Sequence, residues 1–141
     1  MSRATLFADG GSRGNPGPAA SGAVLFAEDG QVLAEVGLYL GIATNNVAEW
    51  RALILGLERA RELGVDQIVI RMDSELVVRQ VTGVYRVKHA DLIPLASQAK
   101  AMLRTFKSVQ IEHVPRKQNT APDAVVNRVL DAEAARARAG A

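Results

Sequence analysis

Three strand-like runs stand at the front of this chain, and every later strand-like run follows a helical one. Residues 3–9, 22–28 and 32–40 are apolar and rich in β-formers, and Asp29-Gly30 is a hairpin turn signal between the second and third. From Thr44 the period changes. Val47, Trp50, Leu53, Ile54, Leu57 and Leu63 recur at helical spacing, Arg51, Glu58, Arg59 and Glu62 fall off that stripe, and Gly64 stops it. Residues 67–72 form a β-branched strand running up to Asp73. Residues 74–82 read as a short helix, 89–106 as a longer one, and 109–114 as a fifth strand closed by Pro115. A last helix begins near Thr120 and runs into an Ala/Arg-rich tail, residues 132–141, whose end is expected to fray. The order β-β-β-α-β-α-α-β-α permits few sheets. Strands at hairpin spacing pair antiparallel, and a strand reached through a helix returns parallel by a right-handed crossover. The expectation is an α/β fold: one five-stranded mixed sheet, three strands antiparallel and two parallel, flanked by about four helices. The 141 residues show neither repeat nor linker, which predicts one domain over 1–141. Aromatics are only 4% of a chain that is 48% hydrophobic, so its core must be aliphatic.

Several chemistries are excluded at once. The chain has no cysteine, which removes disulfides, Cys-based zinc sites and thiol nucleophiles and fits a reducing, cytoplasmic setting. No signal peptide is visible, and no apolar run approaches ~18 residues, so no membrane partner is expected. Ser21-Gly22 lacks a nucleophile-elbow context, no Walker lysine follows the glycines after Asp9, and Gly11 to Gly17 does not open a helix as a dinucleotide fingerprint would. His113 sits on a strand and reads as a packed or edge residue rather than a base. Net charge is only +2, but Arg79, Arg86, Lys88, Lys100, Arg104, Lys107, Arg116, Lys117 and Arg128 all lie in the second half. Such a distribution suits a polyanion and a solvated surface equally.

The acids are more informative. In Asp9-Gly10-Gly11-Ser12-Arg13-Gly14-Asn15-Pro16-Gly17-Pro18 an apolar run ends in one carboxylate and a glycine-rich turn follows. Asp9 and Asp73 both stand at carboxyl ends of strands expected to be neighbours, where open α/β sheets carry their sites. Glu49 has a structural reading, since Asn46 three residues earlier completes a capping-box pattern. Asp123 has the same reading with Thr120, Pro122 suits a first helical turn, and Asp73-Ser74 can cap the helix that follows. Residue by residue these alternatives stay open. Taken together, four carboxylates over one sheet edge would disfavour one another's ionisation unless a cation held them. Oxygen-only donor sets suit Mg2+ or Mn2+, and a pair of such ions can clamp the attacking water and the leaving oxygen of a phosphodiester.

Four blocks then resemble the ribonuclease H type 1 family, in the family's order and across residues 3–131: DGGSRGNPGPAASGAVL from Asp9, TNNVAEWRALILGLERA from Thr44, MDSELVVRQVTG from Met72 and HVPRKQNTAPDAVVNRVLD from His113. The likeness is to a short form lacking a basic protrusion. It implies a ribonuclease H-like fold and a monomeric endonuclease that cuts the RNA strand of RNA–DNA hybrids with two Mg2+ (or Mn2+) ions, leaving 5'-phosphate and 3'-hydroxyl ends. By motif position Asp9, Glu49, Asp73 and Asp123 correspond to the metal-binding catalytic acids. Asn15, Asn45 and Asn46 correspond to residues touching the hybrid's minor groove, where 2'-hydroxyls distinguish a hybrid from DNA. Gly10 and Gly11 would let main-chain groups approach the RNA, Thr44 would hold a DNA phosphate, and Ser74 and Glu75 would lie beside the scissile bond.

The chain also departs from the pattern. Where many relatives carry a mobile histidine, it has Arg116, Lys117 and Asn119, with Arg116 the candidate replacement through phosphate contact. Tyr85, Arg86 and Lys88 are a minimal remnant of the basic protrusion, which implies weaker substrate binding and steep salt sensitivity. Ile42 replaces a basic phosphate-pocket residue, Ser21 a common aromatic and Pro122 a common alanine. The competing expectations are a resolvase-like nuclease of the same fold and a hybrid-binding module without catalysis.

Overall fold

A computed structural model describes residues 2–140. Its elements are β1 (Arg3–Ser12), β2 (Gly17–Ala27), β3 (Val32–Ala43), α1 (Asn45–Glu62), β4 (Gln67–Met72), α2 (Glu75–Val81), α3 (Ile93–Leu103), β5 (Ser108–His113), a single 3-10 turn (Arg116–Gln118) and α4 (Thr120–Ala139). The strands form one sheet in the order β3-β2-β1-β4-β5. β1, β2 and β3 pair antiparallel, while β4 runs parallel to both β1 and β5. Class, strand directions and helix number follow the expectation from sequence.

The sheet's period-2 alternation divides its two faces. Ala4, Leu6 and Ala8 of β1 pack with Ile68, Ile70 and Met72 of β4 beneath Trp50, Leu53 and Leu57 of α1 and Ala99 and Met102 of α3. Trp50 Nε1 donates to Gln80 Oε1 at 3.2 Å inside this layer, which ties α1 to α2. On the other face α4 lies across β2 and β3, with Val126 and Leu130 against Ala20 and Tyr39. Two glycines make that approach possible. A Cβ at Gly22 would lie 2.7 Å from the Pro122 carbonyl oxygen, and one at Gly37 would lie 2.7 Å from Val129 Cγ2. Pro122, unusual in sequence, is therefore a buried contact that seats the first turn of α4 on β2.

Several boundaries differ from the sequence reading; β2 starts at Gly17 rather than 22, and β3 runs on to Ala43 rather than 40. β1 does not end at Asp9. Antiparallel pairing with β2 carries it on through Gly10↔Ser21, Gly11↔Ala20 and Ser12↔Ala19, whereas parallel pairing with β4 stops at Ala8↔Met72. Asp9 is thus the first residue beyond the parallel ladder, and the glycines after it belong to a strand. α3 covers only Ile93–Leu103, with Pro94 in its opening turn, because residues 83–92 run as turns and irregular chain. α4 continues through Ala139, into the Ala/Arg-rich segment as the sequence implies. Among the described residues no helix is long and apolar enough to cross a membrane.

Candidate active site

The end of the β1–β4 ladder opens a gap between two helices, and the acids fill it. Asp9 points from β1 and is only 7% exposed. Asp73 follows the last residue of β4. Glu49, 9% exposed, comes from α1. The capping-box reading of Glu49 fails, because Thr44 and not Asn46 is the N-cap, its side chain accepting from the Val47 amide at 3.2 Å. Glu49 is left free to face Asp9. Asp123 lies in the first turn of α4, whose N-cap is Asn119 and not Thr120, with no side-chain cap bond. Ser74 does cap α2, accepting from the Val77 amide at 3.3 Å.

One carboxylate oxygen from each of Asp9, Glu49 and Asp73 lies within 4.8 Å of the others. Asp123 closes the group from the far side, beside Asp9, and accepts from Asn127 Nδ2 at 3.3 Å. Burial pushes the Asp9 carboxyl up to about 8, with the charges of Asp73 and Asp123 adding to it. Burial also raises Glu49 well above the usual carboxylate range, helped by Asp9 and Asp73 and opposed by a hydrogen bond from the Gly10 backbone. Glu49 Oε2 is buried without any hydrogen-bond partner. An orphaned anionic oxygen beside two other carboxylates is costly in a bare protein, and it is the arrangement a hard, oxygen-loving cation relieves. Asp9, Glu49 and Asp73, with Asp123 beside Asp9, therefore fit a divalent metal.

A stability consequence follows. Between pH ~4 and ~8 the folded Asp9 holds a proton that the unfolded chain gives up, so metal-free stability is expected to fall as pH rises through that window. Mg2+ or Mn2+ should raise the thermal midpoint more at pH 8 than at pH 5.5. Midpoints measured with and without the ion at both values check this, and an equal effect at both would contradict it.

Asp9, Asp73 and Asp123 share an open cleft of about 430 Å3 with Gly11, Arg13, Arg116 and Asn127. Ser12, Arg13 and Asn127 were not singled out from sequence, although Asn127 stands four residues after Asp123 on one helix, a spacing that signals contact. Arg116 extends over the cleft with its side chain 84% exposed and Nη2 4.0 Å from Asp123 Oδ1. Asn45 and Asn15 form a chain of bonds: Asn45 Oδ1 accepts from the Ser12 amide at 2.9 Å, and Asn15 Oδ1 accepts from the Asn45 amide at 3.1 Å. Thr44, Asn15 and Asn46 line a neighbouring hollow of about 200 Å3 with His89. Glu75 pairs with Arg79 at 2.9 Å, and Arg79 lies 5.4 Å over the Tyr85 ring. Tyr85 lines a separate groove beside α3, Lys88 is exposed nearby, and Lys117 is exposed on the 3-10 turn.

Two residues expected at the substrate have contacts within the fold. Gly10 lines the cleft, and its Cα faces the backbone of Ala48 and Glu49, so the absence of a side chain there admits α1. Asn119 is fully buried, and its Nδ2 donates to the Ala8 carbonyl at 3.0 Å. It braces the strand just before Asp9 from the start of α4. Asn119→Ala is expected to cost about 1–3 kcal/mol in chemical denaturation and to leave affinity for nucleic acid unchanged. Loss of affinity without loss of stability would contradict the bracing role.

The family model described as reverse transcriptase-like matches residues 7–129. The bifunctional protein Rv2228c of Mycobacterium tuberculosis is 49% identical over 99% of this chain, which spans only 38% of that relative's length. The N-terminal RNase H domain of Rv2228c, solved as a fusion with maltose-binding protein, superposes with a TM-score of 0.93 at 48% identity, covering 97% of this chain and 99% of that one. Ribonuclease HI of Halobacterium salinarum is 46% identical over 92% of this chain and 65% of its own. LC11-RNase H1, solved in complex with an RNA/DNA hybrid, gives a TM-score of 0.88 at 40% identity over 92% of this chain and 98% of that one. With the acids, the strand order and the matched span in agreement, this chain belongs to the ribonuclease H type 1 family.

Proposed function

We propose that this domain hydrolyses the RNA strand of RNA–DNA hybrids with the help of divalent cations, leaving 5'-phosphate and 3'-hydroxyl ends. The observation that carries this reading is the convergence of Asp9, Glu49 and Asp73 within 4.8 Å, with a buried, unpartnered oxygen on Glu49. Two Mg2+ or Mn2+ ions held by these acids and Asp123 would supply an activated water and offset charge on the departing 3' oxygen.

The chain's own residues do the rest. The parallel ladder fixes the spacing of Asp9 and Asp73, because each follows the last ladder pair, Ala8↔Met72. Asn127 orients Asp123 through its amide. Arg116, long and exposed beside Asp123, is placed to meet a phosphate oxygen. Thr44 and Asn46 offer hydroxyl and amide groups in the adjacent hollow, which suits the second strand of the hybrid. All four acids come from one chain, so a monomer suffices.

The test is a labelled RNA–DNA hybrid incubated with Mg2+ or Mn2+, beside RNA duplex, DNA duplex, a DNA junction and a metal-free control. The expected result is metal-dependent cleavage of the RNA strand of the hybrid. Preference for the DNA junction, or hybrid binding with no cleavage in either metal, would overturn the proposal.

A further inference from the structure

We infer that Arg13 is a substrate contact, its guanidinium leaving Asp131 to hold a backbone phosphate of the RNA strand beside the one being cut. This rests on the proposed hydrolysis of hybrids.

The cleft is lined by acids, yet the strand that must enter it is a polyanion. The cationic side chains lining it are Arg116 and Arg13. Arg116 sits at Asp123, so Arg13 is what remains for the rest of the strand.

The backbone of Arg13 is fixed. Its amide donates to the Pro18 carbonyl at 2.9 Å, and its carbonyl packs so closely on Gly17 that no side chain fits there. The residue before it is pinned as well, since Ser12 Oγ donates to the carbonyls of Ala43, at 2.9 Å, and Gly14. The moving part is the side chain. Its Nη2 donates to Asp131 Oδ1 at 2.6 Å, with the two side chains 44% and 71% exposed. An ion pair this open to water opens at little cost, and a phosphate offers the guanidinium a two-point acceptor in Asp131's place.

The location suits a flanking phosphate. Asp123, Asn127 and Asp131 form an i, i+4, i+8 row on α4. Asp131 therefore stands about 12 Å along the helix from Asp123, next to Leu130, which lines the same cleft as Arg13.

A merely structural tie between the loop and α4 makes a different prediction from a substrate contact. If the pair only holds the fold, Arg13→Ala and Asp131→Asn act in the same direction. If Arg13 serves the substrate, they act in opposite directions, because Asp131 competes with phosphate. Steady-state cleavage of a short fluorescent RNA–DNA hybrid in Mg2+ is measured for the wild type and both variants, with hybrid binding in Ca2+ followed by anisotropy over a range of salt. Arg13→Ala should raise KM about tenfold, with kcat moving far less, and should reduce the salt slope of binding by about one. Asp131→Asn should lower KM. KM rising in both variants, or an unchanged KM and salt slope in Arg13→Ala, would overturn the inference. Should Arg13→Ala prove too unstable to assay, Asp131→Asn decides alone, an unchanged or raised KM counting against. A wild type that cleaves no hybrid defeats the proposed function, whereas a cleaving wild type with variants moving together defeats only the role of Arg13.

Discussion

Asp73→Asn is expected to cut hydrolysis of an RNA–DNA hybrid by about a thousandfold or more while leaving the fold intact. The loss follows from removing one anionic donor from a set that must hold a cation, where each lost electrostatic contact at the reacting phosphate is worth several kcal/mol. Asp9→Asn should do the same and add a second effect. Burial pushes the Asp9 carboxyl up to about 8, and the charges of Asp73 and Asp123 add to it. A neutral amide of the same shape removes that repulsion, so metal-free Asp9→Asn should be more stable than the wild type at pH 8, by ~2 kcal/mol. Gain of stability with loss of activity is the mark of a site that is strained for function. Cleavage assays and denaturant titrations on the same preparations check both. A variant that is inactive because it is unfolded would contradict the account.

Gly10→Ala carries the second large effect. A Cβ there would overlap the Ala48 carbonyl group and the Glu49 amide nitrogen. These are backbone atoms in a helix, so they cannot swing aside as a side-chain tip can. We expect a loss of about 3 kcal/mol or more and, because α1 must shift, displacement of Glu49 and loss of metal-dependent cleavage. Gly11→Ala is the control. A Cβ there meets only Val126 Cγ1 at 3.5 Å, an ordinary contact, and should be tolerated. Equal unfolding midpoints for the two variants would remove the packing explanation.

The fold was legible because its elements announce themselves through period. The helical stripe from Val47 to Leu63 and the β-branched run before Asp73 sit where the structure has α1 and β4. The four acids stand out as a set through motif order and strand-end position; Asp9, Glu49 and Asp73 lie within 4.8 Å of one another, and Asp123 lies beside Asp9. What stayed hidden depends on which neighbour ends first. A glycine-rich stretch after an acid reads as a turn, but here β2 keeps pairing to Ser12 while β4 stops at Met72, so the glycines continue the strand. The helix start was blurred because Thr44, Asn45 and Asn46 are all good N-caps, and only the backbone shows that Thr44 takes the position. Asn119 looked like a polar loop residue facing substrate. Its burial depends on contact with Ala8, a residue 111 positions away, which no local pattern encodes. Arg13 was passed over for the same reason, its partner lying on a helix that closes the far side of the cleft.

The account stands on the claim that Asp9, Glu49, Asp73 and Asp123 form one cation site. Its most direct test is a titration of the wild-type chain and of Asp9→Asn with Mn2+ at pH 8, free ion being read by electron paramagnetic resonance. The wild type should bind Mn2+, and the variant should bind it at least about tenfold more weakly, the loss expected when one charged ligand is removed. Equal affinity in the two proteins would mean that these carboxylates do not hold the metal, and the proposed chemistry would go with them.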